Sequence, residues 1–438
     1  MKRILFVRRA YSFGGAERRL LDWLSQIDYS RNEVYVVSPV DVFSERIKSA
    51  GIPAKVVALS QVQADSIFGS GNPLRGKDDL AKGGFWEFFR PWLRLLRRLR
   101  PDQVVMMQGY FYSMPLACVL AAYLVSRGHV YMTEHSALLE GPPAKTTRLH
   151  WGVIPGTGLW WYRQVWPSVW PWRMRAGLSK RILAASQIVL DREVSYYGYP
   201  RKKMGIIPHG VDTLRFAPSP SMRRHWRERH NIPLSDVVIV CVARFSREKR
   251  IDRLLNAFLA MAPTYPNLRL LLAGDGPLRP EMEAAVRCVN GRDVSQRVCL
   301  LGQVQEVVPL LQASDIHVLP SDNEGFGIAL IEAMAAGLVC VSTRTAGPSQ
   351  IITDGENGFL VEISDRGIFD GLAKAIRMSP GERARMGARA RETVVERYEL
   401  RSAVTHALRM LDIEARTDVP ESHSERHCQP ALPRAWGD

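Results

Sequence analysis

Residues 320–337 read Pro-Ser-Asp-Asn-Glu-Gly-Phe-Gly-Ile-Ala-Leu-Ile-Glu-Ala-Met-Ala-Ala-Gly and hold the densest set of chemistry-bearing positions in the chain. The apolar run ending at Leu319 predicts a strand, and the run from Ile328 predicts a helix. Gly325 and Gly327, in the loop between them, carry no side chain, so backbone N–H groups can approach a ligand there. The loop feeds a helix N-terminus, where the backbone dipole favours an anion such as a diphosphate. Glu324 stands in that loop and can accept hydrogen bonds from sugar hydroxyls, and Phe326 lies between the two glycines. Glu332, about one turn into the helix, is on a face that reaches a ribose. A Gly-x-Gly turn after a strand also arises as a bare strand–helix connection with a solvated glutamate, so context has to decide.

The context is basic. Ala243-Arg-Phe-Ser-Arg-Glu-Lys-Arg250 follows the apolar strand Val237–Val242. Arg244 and Lys249 then stand at the same carboxyl edge as Glu324, and two cations beside a helix N-terminus make a diphosphate clamp. The alternative is a solvated basic loop. Ala273-Gly-Asp-Gly-Pro277 closes another strand at that edge, and its glycines read as turn residues before ligand contacts. Nearer the start, Gly14-Gly15 follows the strand Ile4–Val7, where a phosphate or sugar can meet the backbone. His135 follows the strand 130–132, and His209-Gly-Val-Asp212 ends the run Gly205–Pro208. No Asp-x-Asp pair occurs, and no metal is expected.

These positions need a scaffold that brings strand ends together. Strand, glycine loop and helix open the chain, with strands at 34–37 and 54–59 and a helix at 43–50. A second cycle starts at Asp236, with strands at 237–242, 268–273, 297–301, 315–319 and 338–342 separated by amphipathic helices. Continuous apolar strands between helices indicate parallel sheets covered on both faces. The fold class is α/β, with two Rossmann-like doubly wound domains facing a cleft. The first spans 1–212 and the second 213–398, joined through a connector at 213–235 punctuated by Pro218, Pro220 and Pro233. A terminal helix at 399–414 is expected to return to the first domain, and 415–438 lacks periodicity and reads as disordered.

The 438 residues carry a formal charge of +15, unevenly spread: 27 basic and 15 acidic residues fall in 1–200, leaving a near balance of 32 and 29 beyond. The partner that this basic excess attracts therefore belongs to the N-terminal half. The six cysteines show no CxxC or metal-ligand spacing; Cys118, Cys241 and Cys340 sit in apolar runs, as buried thiols do. The apolar run Ile4–Val7 is too short for a secretory signal, which points to a reducing cytoplasm. Residues 103–126 lack charge over a membrane-spanning length. Gln108-Gly109 and Ser113-Met114-Pro115 break them into a strand, a loop and a short helix.

Between Gly141 and Leu190 there are seven basic residues and no acidic one, and six of the 11 tryptophans fall between Trp151 and Trp172. Residues 82–100 add Phe85, Trp86, Phe88, Phe89 and Trp92 with six basic residues and one glutamate. Tryptophan favours the headgroup level and Lys/Arg attract anionic lipid. Trp86, Trp92, Arg163, Trp166, Arg173 and Arg175 are the candidate membrane or acceptor surface. The competing reading makes 91–100 a Rossmann helix that starts at Pro91 and turns Trp92, Leu95, Leu96 and Leu99 inward.

The ordered set Gly14-Gly-Ala-Glu-Arg18, His135, Ile207-Pro-His-Gly-Val-Asp212, Ala243-Arg244 with Lys249, Gly274-Asp-Gly-Pro277 and Glu324 to Glu332 resembles the retaining family-4 glycosyltransferases of the GT-B fold, also called glycosyl transferases group 1. The likeness covers about 1–60 and 100–412, and the two glutamates embedded in Glu-Gly-Phe-Gly-Ile are its most specific element. The resemblance implies that Arg244 and Lys249 hold the donor diphosphate. It implies that Glu324 contacts the donor sugar beside Gly325, Phe326 and Gly327, and that Glu332 holds the ribose. Gly15 would shape the cleft, and His135 would sit beside the reacting sugar as a catalytic residue with Glu324. His209 departs from the pattern, which usually has Asn there. The implied activity is metal-independent, retaining transfer of a hexose from a nucleotide sugar, UDP- or GDP-linked, to a lipid-linked or cell-surface glycan acceptor. Polysaccharide, lipopolysaccharide and glycolipid synthesis at the inner face of the plasma membrane fit it. No cofactor is expected beyond the nucleotide-sugar co-substrate, and nucleic acid is not an expected partner. The alternatives are another GT-B enzyme, such as a sugar-nucleotide epimerase, or a basic non-enzymatic nucleic-acid- or membrane-binding protein.

Overall fold

A computed structural model describes residues 1–8, 15–38, 43–57, 85–108, 116–134, 152–153, 160–161, 170–207, 209–288 and 296–416, with single positions at 41, 59 and 294. They fall into two units. One holds Met1–Pro208 and the residues from Val404, and the other holds His209–Ala403. The last helix, Leu400–Met410, thus begins in the second unit and ends in the first.

The first unit is built on seven parallel strands: β1 (Lys2–Arg8), β2 (Asn32–Val37), β3 (Lys55–Val57), β4 (Gln103–Gln108), β5 (Val130–Glu134), β6 (Arg181–Ala184) and β7 (Met204–Ile206). Their order is β3-β2-β1-β4-β5-β6-β7. The second unit repeats the plan with six: β8 (Val237–Val242), β9 (Leu268–Ala273), β10 (Val298–Gly302), β11 (Ile316–Leu319), β12 (Val339–Thr343) and β13 (Phe359–Val361), ordered β10-β9-β8-β11-β12-β13. In both sheets the chain runs outward from the first strand, then crosses back to its other side. The fourth strand laid down is its new neighbour, the doubly wound order. Strand β8 shows why it must be central: Val237, Ile239 and Cys241 join one core cluster while Val238 and Val240 join the other. Both faces are buried, so the run is continuously apolar.

The uncharged stretch 103–126 resolves into β4 and the ten-residue helix Leu116–Val125, whose Ala117, Cys118, Val119, Ala121 and Ala122 are buried. Among the described residues, no helix is long and apolar enough to cross a membrane. Cys118, Cys241 and Cys340 are buried thiols outside any disulfide.

Three sequence expectations need correction. The helix expected to start at Pro91 runs from Phe85 to Leu99 with Pro91 inside it. Its buried residues Phe88, Trp92 and Leu96 recur every four positions straight across the proline, so burial of one continuous face offsets the missing hydrogen bond. The expected connector 213–235 contains a helix, Pro220–Arg229, with the Ser219 side chain accepting from Met222 N and Pro220 in the first turn. Proline there is a start signal, not a break. Arg227 of that helix is fully buried and paired with Asp315 at 2.7 Å. The acid-free region 141–190 is in part sheet and helix: Trp170–Leu178, β6 and Gln187–Tyr197 belong to the first unit's fold.

His317 occupies the middle of β11, in register with Val240 on one side and Cys340 on the other. It is fully buried, and neither ring nitrogen has a hydrogen-bond partner. Burial pushes its pKa down to about 4. The ordinary value is about 6.5, so between the two the unfolded chain binds a proton that the folded chain refuses. The stability contribution is complete above 6.5 and is lost as pH falls toward 4. Lowering pH from 6.5 to 5 is therefore expected to cost about 2 kcal/mol at this site. Urea unfolding of wild type and His317→Leu at both pH values checks it, since the variant should lack that increment.

Candidate functional site

In an open parallel sheet, ligands gather at the carboxyl ends of the strands that flank the reversal in order. In the second unit those strands are β8 and β11, which pair directly. The loop after β8 carries Arg244 and Lys249, and the loop after β11 carries Glu324 to Gly327.

The structure ties the two loops together. Asp322 N donates to Glu248 O at 2.9 Å. Arg250 and Arg253 both reach the Asp322 carboxylate, at 3.2 and 2.9 Å. Arg253 is almost completely buried and also donates to Pro320 O at 3.0 Å. These contacts fix the spacing of the central pair: Lys249 Nζ donates to Glu324 Oε2 at 2.6 Å, with both side chains mostly buried. Burial alone would lower the Lys249 pKa, but the Glu324 carboxylate outweighs it and the net shift is upward. Lys249 is therefore charged at neutral pH. An ammonium has three donors, so Lys249 can hold Glu324 and still offer hydrogens to an anion.

Gly327 adopts φ +95° and precedes the helix Ile328–Ala335, so the loop turns sharply into a helix N-terminus. The loop is backed by a segment the sequence reading missed. Gly347 N donates to Glu324 O at 2.9 Å, and a Cβ on Gly347 would collide with the Phe326 backbone. The Gly347-Pro348 dipeptide signals a turn but carries no information on which backbone that turn meets. Phe326 stacks on His209, with ring centroids 3.8 Å apart. Glu332 is buried in the helix, and Arg244 is exposed at the loop edge. Gly274 and Gly276 do more than turn the chain: Phe245 N donates to Asp275 O at 3.0 Å, and a Cβ at either glycine would strike the 243–245 backbone. They let that loop lie flat beside β9.

Two family models match the chain: "Glycosyltransferase Family 4" over residues 13–215 and "Glycosyl transferases group 1" over 222–393. The chain belongs to the family-4 glycosyltransferases. Among solved structures, a glycosyltransferase from Rickettsia africae aligns over 94% of this chain and 98% of its own, with TM-score 0.68 and 18% identity. Anabaena HepE in complex with UDP and glucose aligns over 94% and 100%, with TM-score 0.67 and 18% identity. These likenesses concern the fold, which is GT-B. Similar sequences include the N-acetyl-alpha-D-glucosaminyl L-malate synthase of Bacillus anthracis, 34% identical over 41% of this chain and 46% of its own. A GDP-mannose-dependent phosphatidylinositol monomannoside mannosyltransferase of Mycolicibacterium smegmatis is 29% identical over 50% and 58%. The lipopolysaccharide core biosynthesis glycosyltransferase LpsE of Rhizobium meliloti is 32% identical over 41% and 51%. The chain spans about half the length of these relatives.

In the first unit fewer of the candidate residues are described. His135, Arg163 and Trp166 lie outside the described residues, and Gly15 is described only as the first residue of the helix Gly15–Gln26. Glu17, in the motif beside it, pairs with Arg8 at 2.6 Å and joins that helix to the end of β1. Two members of the candidate surface are misplaced. Trp92 is fully buried in the core beneath its helix. Arg175 is buried, its guanidinium 3.9 Å over the Trp172 ring. It lies in the field of Glu134 and Glu193, both buried. Burial and the Glu193 charge push Glu134 well above the usual carboxylate range, and burial lifts Glu193 to about 7. An acid-free stretch looked like surface because its acidic partners come from outside it. Arg173 is exposed and donates to Tyr197 O at 3.2 Å. Trp86 is 60% exposed, with Arg90 stacked on its ring.

Proposed function

We propose that the protein moves a sugar from a UDP- or GDP-sugar to a lipid-linked or cell-surface glycan acceptor with retention of configuration, working at the inner face of the plasma membrane. The observation that carries the reading is the charged Lys249–Glu324 pair at the β8/β11 edge beside a helix N-terminus. Breaking a sugar–phosphate bond leaves charge on the departing diphosphate. Arg244, the remaining Lys249 donors and the helix end stabilise it. Glu324, fixed by Lys249 on one oxygen, keeps acceptor capacity for donor-sugar hydroxyls, and Glu332 holds the ribose. The family resemblance also carries a catalytic role for His135 in this reading. The attack comes on the face the diphosphate leaves, and the departing phosphate helps deprotonate the acceptor hydroxyl. The names of similar proteins, which include lipopolysaccharide and phosphatidylinositol mannoside synthesis, support the acceptor class. Solved relatives holding UDP or UDP-glucose support the donor class.

A screen of UDP-, GDP-, ADP- and TDP-sugars for hydrolysis and thermal stabilisation tests the reading, and silence from all four classes overturns it. Arg244→Ala should weaken the matching nucleoside diphosphate by about 1.5–3 kcal/mol, the range for a charged hydrogen bond. Calorimetry at wild-type affinity would remove Arg244 from the clamp. Because the charge is carried by side chains and a helix end, turnover is expected to survive EDTA. Full loss restored by Mg²⁺ or Mn²⁺ would show that a metal completes the site.

A further inference from the structure

The chain enters the second unit at His209 and leaves it after Ala403. The two segments are bonded to each other: Val211 N donates to Tyr398 O at 2.8 Å, and Leu400 N donates to Val211 O at 3.1 Å. Their contact is close enough that a Cβ on Gly210 would meet Leu400 Cα at 2.6 Å. Each segment also puts a ring on the same side chain. His209 stacks on Phe326 at 3.8 Å with planes 18° apart, and Tyr398 meets Phe326 edge-on at 5.6 Å. His209 is buried. The Gly347 backbone lies directly against that of Phe326.

We infer that His209 and Tyr398 are positioning residues, clamping Phe326 so that the Glu324–Gly327 loop is held by the segments through which the chain enters and leaves the unit. The argument is one of constraint. Gly325 and Gly327 flank Phe326 and have no side chains of their own to anchor the loop. Lys249 holds Glu324 at one end, and the helix begins at Ile328 at the other. Between them the only large side chain is Phe326, and offset aromatic pairs have a preferred geometry. Fixing its ring fixes the peptide units on either side, and those are the N–H groups at the edge. An Asn at 209 would have no ring to stack, so the contact depends on the imidazole ring of His209. Its consequence for donor binding rests on the function proposed above; the clamp itself does not.

Hydrogen exchange of the unliganded protein tests the clamp without any ligand. His209→Ala, His209→Asn and Tyr398→Ala should each raise exchange in the segment 322–332 by about three- to tenfold, the range for losing one aromatic pair. His209→Phe should keep wild-type protection, since it retains the ring without the nitrogens. Strand β8 should stay protected throughout, which shows that the unit remains folded. UDP and GDP affinities by calorimetry should follow the same order, lost in His209→Ala and rescued in His209→Phe. Unchanged loop exchange in His209→Ala, wild-type protection in His209→Asn, or failure of His209→Phe to rescue would each overturn the clamp. Failure of wild type to bind either nucleotide would count against the proposed donor, and the exchange result would still decide the clamp.

Discussion

Glu324→Gln is expected to leave the protein folded and to lower turnover by about 10²–10³, the loss typical of removing one preorganised electrostatic group. The amide keeps an oxygen for Lys249, so the 2.6 Å contact can persist and the loop tether through Gly347 is untouched. What changes is charge. In the proposed role the carboxylate accepts strongly from sugar hydroxyls and faces the positive character that develops on the sugar carbon; an amide would do neither as well. The effect should therefore fall on kcat more than on KM. Lys249→Ala should behave differently, because it strands a mostly buried carboxylate, and breaking a buried pair costs about 3–5 kcal/mol of stability. Steady-state kinetics with a donor from the screen, alongside thermal melts, separates the two. Unchanged turnover in a folded Glu324→Gln protein would remove Glu324 from the chemistry.

The second unit was the more readable in sequence because its signals are local. A fully apolar strand such as Val237–Val242, a glycine turn and an amphipathic helix repeat within short windows, and each edge loop sits directly after its strand. That is why Arg244, Lys249 and Glu324 could be assigned to one edge before their contacts were known. The features that escaped depend on distant partners. His209 meets Phe326 across 117 positions, and Gly347 meets it across the helix Ile328–Ala335 and β12. Arg175 and Trp92 were misassigned because composition reports charge and aromaticity without direction. Whether an arginine faces water or two buried glutamates is decided by which helix face turns inward.

That distinction relocates the proposed membrane-facing surface to the helix Phe85–Leu99 and its neighbour Leu116–Val125. The first buries Phe88, Trp92 and Leu96 and exposes Trp86, Arg90, Arg94, Arg97 and Arg98. The second packs against it and exposes Tyr123 and Leu124. An exposed tryptophan with a row of arginines matches the headgroup region, where the ring sits at the interface and each basic residue contributes about 1 kcal/mol. Arg90→Glu, Arg94→Glu and Arg97→Glu together remove about 3 kcal/mol of attraction and add repulsion, so partitioning onto anionic vesicles should fall at least about 100-fold. The fold should survive, because none of the three side chains belongs to the core. Arg175→Glu makes a poor probe by the same logic, since it would add a third buried carboxylate beside Glu134 and Glu193. Wild type should sediment with phosphatidylglycerol-rich vesicles, less with phosphatidylcholine, and release at high salt as the Debye length shortens. Trp86→Ala should weaken binding at both salt levels, because its share is apolar. Wild-type sedimentation by the triple variant would move the surface elsewhere, and no sedimentation by the native protein would remove the membrane from the proposed function.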